Sequence, residues 1–251
     1  MLTEDFSGGT SFAHRLDPRV KLLAAMAYSV VVVALDRPAP LLAALAASVL
    51  MAAAARLPLR QVARRLAFLN LFSLSLLLTL PFTTKGEVLL RVGPLAASAK
   101  GLGHATLVAL KSNAVVLALL ALLATSSVMT LAHALNHLWV PAKLVHLTFF
   151  TWRYVHVLHA EYFRLTSAMK IRCFRPRTNL HTYRAYAYLV GMLLLRSFTR
   201  SQRVHQAMLC RGFSNGTFWL LEHFELRPAD MAAAACLGAA TAGLAMWGLW
   251  A

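Results

Sequence analysis

Two histidines, His133 and His137, stand four residues apart, a spacing that places both side chains on one face of a helix and can hold a metal ion. A metal site needs further ligands, and no nearby Asp or Glu supplies one, while Asn136 is a poor substitute. We therefore expect no metal site. An integral-membrane metal enzyme built on this pair remains the alternative hypothesis, and it would need more histidines or carboxylates facing the pair.

Other chemical motifs are missing from the sequence. Gly101 and Gly103 resemble the start of a P-loop but lack its Gly-Lys-Ser/Thr ending, so this chain is not expected to bind ATP itself. The cysteines form no Cys-x-x-Cys pair and no metal quartet; they are Cys173, Cys210 and Cys236. We expect a protein that is not an enzyme and carries no cofactor.

A seven-residue pattern, Ala-Met-x-x-Arg-x-Phe, occurs twice, at Ala168–Phe174 (tip 1) and at Ala207–Phe213 (tip 2). A small residue permits close backbone approach, and the planar guanidinium of Arg pairs well with carboxylates. Two such tips predict two equivalent acidic grooves on a symmetric dimeric partner. The alternative is that these arginines contact anionic lipid headgroups.

Ten residues make up this predicted partner-binding site. The residues expected to enter the grooves are Ala168, Arg172, Ala207, Arg211 and Gly212. The supporting basic stripes, drawn on a helical wheel, are Arg164 and Arg175 at tip 1 and Arg196, Arg200 and Arg203 at tip 2.

The elements that must position these tips belong to a membrane protein. The 251 residues are 59% hydrophobic and 14% charged, with a mean hydropathy of +0.62, which is too apolar for a soluble domain. Five apolar stretches predict an all-α integral membrane protein with about five transmembrane helices. They are Lys21–Leu35, Ala39–Ala55, Leu66–Pro81, Ala105–Thr125 and Ala229–Trp250.

The charge distribution predicts how the chain is oriented. A net charge of +16 in a soluble chain would indicate nucleic acid, but in a membrane protein basic residues mark the cytoplasmic side, so no nucleic-acid partner is expected. Four arginines follow the second stretch, and the segment 133–227 holds 13 of the 25 basic residues. The N-terminus and this long segment are therefore predicted to be cytoplasmic.

The long basic segment predicts two amphipathic helices at the inner membrane face, Ala142–Phe174 and Thr182–Phe213, separated by a break at 175–179. We predict three regions: four transmembrane helices in 1–130, a cytoplasmic coupling-helix region in 131–227, and a C-terminal transmembrane helix in 228–251.

Several motifs along most of the chain resemble the transmembrane T component of energy-coupling factor importers, most closely the CbiQ type found with cobalt transporters. They are Leu16–Leu23 (Leu-Asp-Pro-Arg-Val-Lys-Leu-Leu), Gly101–Ala105, Leu123–Ser127, Val140-Pro141, Arg153-Tyr154 and Glu161. The tips are similar to that family's paired Ala-Arg-Gly-like motifs. Both keep the arginine, neither keeps the preceding alanine, and tip 1 also lacks the glycine.

The resemblance implies a complex in the bacterial cytoplasmic (inner) membrane. Its partners would be a dimer of ABC ATPase subunits (CbiO-like), a substrate-binding membrane subunit (CbiM-like), as an optional addition a small accessory membrane subunit, and the lipid bilayer. The chain would be the scaffold that transmits ATPase motions through Arg172 and Arg211. Cobalt is the implied cargo, with nickel or a vitamin as alternatives.

Overall fold

The computed structural model describes residues 11, 14, 16–84, 88–92, 95–138, 140–213 and 228–250. These residues form eight helices and one short antiparallel hairpin. The helices are α1 (Pro18–Ala34), α2 (Pro38–Ala54), α3 (Leu59–Thr83), α4 (Ala99–Leu122), α5 (Val128–His137), α6 (Ala142–Ile171), α7 (Leu180–Cys210) and α8 (Pro228–Trp250). The predicted all-α membrane fold is confirmed.

The chain divides into two compact units. The bundle unit contains α1 to α4, the hairpin and α8, and the two-helix unit contains α6 and α7; the boundary falls within α5, between Ala134 and Leu135. The predicted regions 1–130, 131–227 and 228–251 remain predictions. Their limits at residues 1, 227 and 251 lie outside the described residues.

Among the described residues, three helices are long and apolar enough to cross a membrane, and all belong to the bundle unit: α3, α4 and α8. The helices α1 and α2 have 17 residues each. At a rise of 1.5 Å per residue each is about 26 Å long, slightly less than a bilayer core of about 30 Å. The count of five spans therefore remains a prediction that requires local thinning or snorkelling side chains for α1 and α2.

Prolines and one carboxylate define several helix ends. Pro18 and Pro38 open α1 and α2, where a missing backbone N–H costs nothing. The Asp17 carboxylate accepts a hydrogen bond from the Arg19 N–H and caps α1. Pro58 precedes α3, which begins at Leu59 rather than near Leu66, because the arginine-rich stretch before the apolar run also favours helix.

The connection between α3 and α4 contains two strands, β1 (Val88–Val92) and β2 (Leu95–Ser98). They pair antiparallel, with a register irregularity between Val88 and Leu90. The hairpin is short and leaves the helical class unchanged.

The core of the bundle unit is built from small side chains around one tyrosine. Tyr28 of α1 is fully buried and donates a hydrogen bond to the Ala44 carbonyl of α2. Alanines from α2 and α4 surround it, and small residues let helix backbones approach closely in a membrane. The buried residues of this cluster are Tyr28, Val32, Leu35, Leu41, Ala44, Ala114 and Ala118.

The helix ends of the bundle unit meet in two groups. At one end, the Lys21 ammonium of α1 donates to Ser126, just after α4, over 2.8 Å, and the Asp17 backbone N–H donates to the Asp230 carboxylate of α8 over 3.1 Å. At the other end, α4 begins against the end of α3: a Cβ on Gly101 would lie 2.7 Å from the Leu80 carbonyl oxygen. The helices therefore alternate in direction.

Candidate functional site

The two predicted tips close the two helices of the two-helix unit. Phe174, just after α6, lies against Tyr186 near the start of α7, with ring centroids 5.9 Å apart. His146, near the start of α6, lies against Phe213, just after α7, at 6.5 Å. Each tip therefore sits beside the beginning of the other helix, and α6 and α7 run antiparallel.

Tip 1 ends α6 through a Schellman motif. Arg172 is the C-cap residue, and Cys173 after it takes a left-handed conformation with φ 58°. The Cys173 N–H donates to the Lys170 carbonyl over 3.0 Å, and the Phe174 N–H donates to the Met169 carbonyl over 3.1 Å. This pair of hydrogen bonds satisfies carbonyls that the helix end would otherwise leave open.

Tip 2 ends α7 in the same way. Arg211 is the C-cap residue, and Gly212 takes the left-handed conformation with φ 78°. The Gly212 N–H donates to the Leu209 carbonyl and the Phe213 N–H to the Met208 carbonyl, each over 3.0 Å. The absence of a glycine in tip 1 therefore does not alter the turn, because Cys173 adopts the conformation that favours glycine.

The common capping geometry explains part of the repeated pattern. Met and Phe occupy the two positions that commonly make an apolar contact in a Schellman motif. The cap does not require the alanine or the arginine. Both are exposed in each copy, and an open space surrounds Gly212. The exposed members of the predicted site are Ala168, Arg172, Ala207, Arg211 and Gly212.

Two supporting arginines have an acidic partner within the unit. Glu161 of α6 accepts a hydrogen bond from Arg196 of α7, which joins the two helices, and it also pairs with Arg164 at 3.3 Å. Arg175 lies beyond the end of α6, in the break before α7, so it does not continue a helical stripe. Arg200 and Arg203 remain exposed on α7.

The Glu161 carboxylate lies in a basic environment. Hydrogen bonding from Arg196 lowers the pKa of its carboxyl group. Burial opposes this effect, whereas the positive charges of Arg196, Arg164 and Arg200 add to it. Glu161 is therefore ionised at neutral pH. In the sequence, Glu161 stood out only as part of the family resemblance.

An apolar groove of about 860 Å³ opens between the first half of α6 and the second half of α7. Its floor is largely aliphatic and aromatic, with Phe150, Leu158 and Leu194 among the lining residues. Lys143, Arg200 and other polar side chains reach its edge. The helices therefore separate toward tip 2 instead of packing along their full length.

The alternative metal site gains no support from its surroundings. His133 is buried in α5, and both His133 and His137 make interactions within the chain. Among the residues that the structure describes, no three His, Cys, Asp or Glu side chains are grouped so that they could hold a metal ion.

A buried charged cluster in the bundle unit was not predicted from the sequence. Lys21 is only 1% exposed, and Asp17 and Asp230 are also buried. Lys21 bonds to Ser126, and Asp17 bonds to Asp230, so α1, α8 and the end of α4 are tied together. The available signal was a lysine at the start of an apolar helix, which is costly in a membrane unless it is paired.

Comparison with known proteins gives consistent matches over most of the chain. The model of the family described as "CbiQ: Cobalt transport protein" matches residues 9–218. Two curated relatives are each named energy-coupling factor transporter transmembrane protein EcfT. That of Heliobacterium modesticaldum is 27% identical over 213 residues, covering 81% of this chain and 80% of the relative. That of Listeria innocua is 26% identical over 227 residues, covering 86% of each.

Proposed function

Since the chain belongs to the CbiQ cobalt transport protein family, we propose that it is the membrane coupling subunit of an ATP-driven importer of the energy-coupling factor type. The family and the three apolar helices place it in a membrane. Its relatives are named as transmembrane components of such transporters. ATP hydrolysis then belongs to partner subunits, and this chain transmits their motion.

One observation carries the proposal: two exposed arginines occupy equivalent positions at two helix ends. Arg172 and Arg211 are both C-cap residues, each followed by a left-handed residue and a phenylalanine. Antiparallel helices with equivalent ends suit a partner that has two equivalent binding grooves, as a dimer of ATPase subunits does. The arginines would pair with carboxylates in those grooves.

The spacing of the tips supports binding to two separate subunits. Arg172 lies eleven residues beyond the Glu161 contact, about 16 Å along α6, and Arg211 lies fifteen residues beyond Arg196, about 22 Å along α7. Because the helices are antiparallel, the tips lie on opposite sides of this contact. Their separation is about 35–40 Å, too large for both arginines to enter one groove.

In the proposed mechanism, ATP binding closes the ATPase dimer and moves the two tips together. The helices α6 and α7 carry this motion to a substrate-binding membrane subunit, which reorients and releases its cargo toward the cytoplasm. The chain would lie in the bacterial cytoplasmic membrane as a multi-pass protein with a cytoplasmic N-terminus. A small accessory membrane subunit would be an additional partner.

We propose cobalt ions as the cargo, because the matching family is described as a cobalt transport protein. No group of metal ligands occurs in the described parts of this chain, so the ion would be selected by the substrate-binding subunit. Nickel or a vitamin would use the same coupling tips. Uptake of radioactive cobalt and nickel by the reconstituted complex distinguishes these cargoes.

The coupling proposal is tested by reversing the charge at each tip. Arg172→Glu and Arg211→Glu should each abolish transport and reduce copurification of the ATPase subunits, because disrupting a buried interfacial charge pair costs about 2–5 kcal/mol. Membrane insertion should be unchanged, since a headgroup contact is worth only about 1 kcal/mol per basic residue.

Arg64→Glu provides the matched control for this experiment, because Arg64 is an exposed arginine of α3 outside the two-helix unit. It should retain ATPase binding. If the Arg172→Glu/Arg211→Glu double variant copurifies with ATPase subunits at the wild-type yield, the arginines contact lipid headgroups instead and the coupling proposal is wrong.

A further inference from the structure

Glu161 is the single acidic residue in the sequence from 142 to 213, a stretch that holds twelve Lys and Arg residues. It is also one of the few residues of α6 that are buried. A carboxylate in this position is surrounded by positively charged side chains that would otherwise repel one another. A negative charge at this position can offset the repulsion between the two basic helices.

The contacts of Glu161 connect the two helices. One carboxylate oxygen pairs with Arg196 of α7, and the other pairs with Arg164, one turn further along α6, at 3.3 Å. The glutamate side chain is 9% exposed, while the side chains of Arg196 and Arg164 are 50% and 74% exposed. The carboxylate is therefore the enclosed member of a three-residue ion cluster.

Apolar packing within these helices is sparse. On α6 and α7, which are described in full, the buried residues are Val145, Glu161, Thr182 and Leu189. The helices separate on one side of the ion cluster to form the apolar groove of about 860 Å³. Apart from aromatic contacts at the ends, little else fixes the angle between them.

From these observations we propose that Glu161 is a positioning residue that fixes the crossing of α6 and α7 and thereby the separation of the two tips. The proposal rests on the coupling function described above, because the tip separation matters only if both tips engage a partner. Arg196 is the principal partner across the crossing, and Arg164 holds the carboxylate in place from its own helix.

A fixed crossing has a mechanical consequence for coupling. Tip 1 and tip 2 lie on opposite sides of the cluster, about 16 Å and about 22 Å from it. A push on one tip can therefore turn its helix against the other only if the crossing holds. Without the cluster, the helices would change angle independently and the motion would not reach the rest of the complex.

Two native cysteines allow the tip separation to be measured directly. Cys173 and Cys210 are exposed and lie at the two tips, and the third exposed cysteine, Cys236, lies in α8. For this measurement, Cys236 is replaced by serine. Spin labels on Cys173 and Cys210 of the full-length chain in lipid nanodiscs report their distance by double electron–electron resonance. The structure predicts a single distribution of label-to-label distances with its maximum at about 35–40 Å.

Glu161→Gln should make this distribution about twofold broader or shift its maximum by about 5 Å, since the ion cluster no longer opposes rotation of the helices. Arg196→Gln should have the same effect. Arg184→Gln is the matched control, because it removes an exposed arginine of α7 that lies far from the crossing, and its distribution should equal that of the parent.

The exchanged pair Glu161→Arg/Arg196→Glu tests whether the charge pair itself is responsible. It should restore the parent distribution, because the new glutamate on α7 meets two arginines on α6, at positions 161 and 164. This variant and the half-exposed Arg196→Gln keep the test informative if Glu161→Gln does not fold. An unchanged distribution in Arg196→Gln, or no restoration in the exchanged pair, would overturn the proposal.

A second readout separates this proposal from the coupling function. In the assembled transporter, Glu161→Gln should still copurify with ATPase subunits but transport about tenfold less cargo per ATP hydrolysed. Tip variants should instead lose ATPase association. Normal transport per ATP in Glu161→Gln would contradict the positioning role, while leaving the role of the tips intact.

Discussion

The bundle unit and the two-helix unit are held together in different ways. In the bundle unit, Tyr28 is fully buried and bonded to the Ala44 carbonyl, and Lys21 is enclosed beside buried carboxylates. Gly101 allows α3 and α4 to approach so closely that a Cβ atom would clash. By contrast, α6 and α7 meet at one ion cluster and at aromatic contacts near their ends.

The difference indicates a division of labour between the two units. Helices fixed by many buried contacts resist relative motion, because close-packed interiors have few alternative arrangements. Helices that share few buried contacts can change their angle at low cost. The two helices of the two-helix unit can therefore change their angle more easily than the helices of the bundle unit, which is what the proposed coupling role requires.

The largest loss of stability is expected from Lys21→Met in the bundle unit. Lys21 donates to Ser126 and lies near the buried carboxylates of Asp17 and Asp230. Removing this buried cation takes away its attraction for both carboxylates, which should destabilise the bundle unit by about 3–5 kcal/mol. The measurement is the midpoint of unfolding when the detergent-solubilised protein is titrated with sodium dodecyl sulfate.

Lys111→Met is the matched control for that substitution. Lys111 makes an ion pair with Asp36 at 3.0 Å, and the Asp36 side chain is 90% exposed. An exposed carboxylate stays hydrated when its partner is lost, so the cost should be below about 1 kcal/mol. Equal midpoints for the two variants would show that the buried cluster does not hold the bundle unit together.

A smaller effect is expected at the ends of the two-helix unit. Cys173 adopts a left-handed conformation that is unfavourable for any residue with a Cβ atom, so Cys173→Gly should stabilise the end of α6 by about 1 kcal/mol. Hydrogen exchange of the last turn of α6 should slow accordingly. The reciprocal change, Gly212→Ala, should accelerate exchange at the end of α7.

The two cap substitutions also test whether the left-handed residue ends the helix at each tip. Both tips have the same backbone turn, but only tip 1 places a non-glycine residue in it. If neither substitution changes exchange at its own helix end, the left-handed turns are not what terminates these helices. The bundle unit should be unaffected by either change.

Local patterns in the sequence were sufficient to predict most of the helices and the two tips. Apolar runs of suitable length predicted α1 to α4 and α8, and the repeated Ala-Met-x-x-Arg-x-Phe pattern predicted two equivalent helix ends. These features depend on neighbouring residues, because helix periodicity and capping act within a few turns. The role of the tips in binding a partner remains a prediction.

The long-range contacts could not be predicted from such patterns. Glu161 and Arg196 are separated by 35 residues, and their meeting depends on the break that turns α7 back along α6. Asp17 and Asp230 are separated by 213 residues and meet only once the whole bundle is formed. A pattern of charges identifies candidates for pairing, but the partner is set by the packing of the helices.

The central claim, that both tips bind ATPase subunits, is tested most directly by crosslinking from the native tip cysteines. A photoreactive maleimide is attached to Cys173 alone or to Cys210 alone in the transporter coexpressed with its ATP-hydrolysing subunits, and to Cys236 alone as the control in α8. Illumination should join each tip, but not Cys236, to an ATPase subunit, and Arg172→Glu or Arg211→Glu should remove the product at its own tip. Crosslinking from Cys236 with equal yield, or no product from either tip, would contradict the claim.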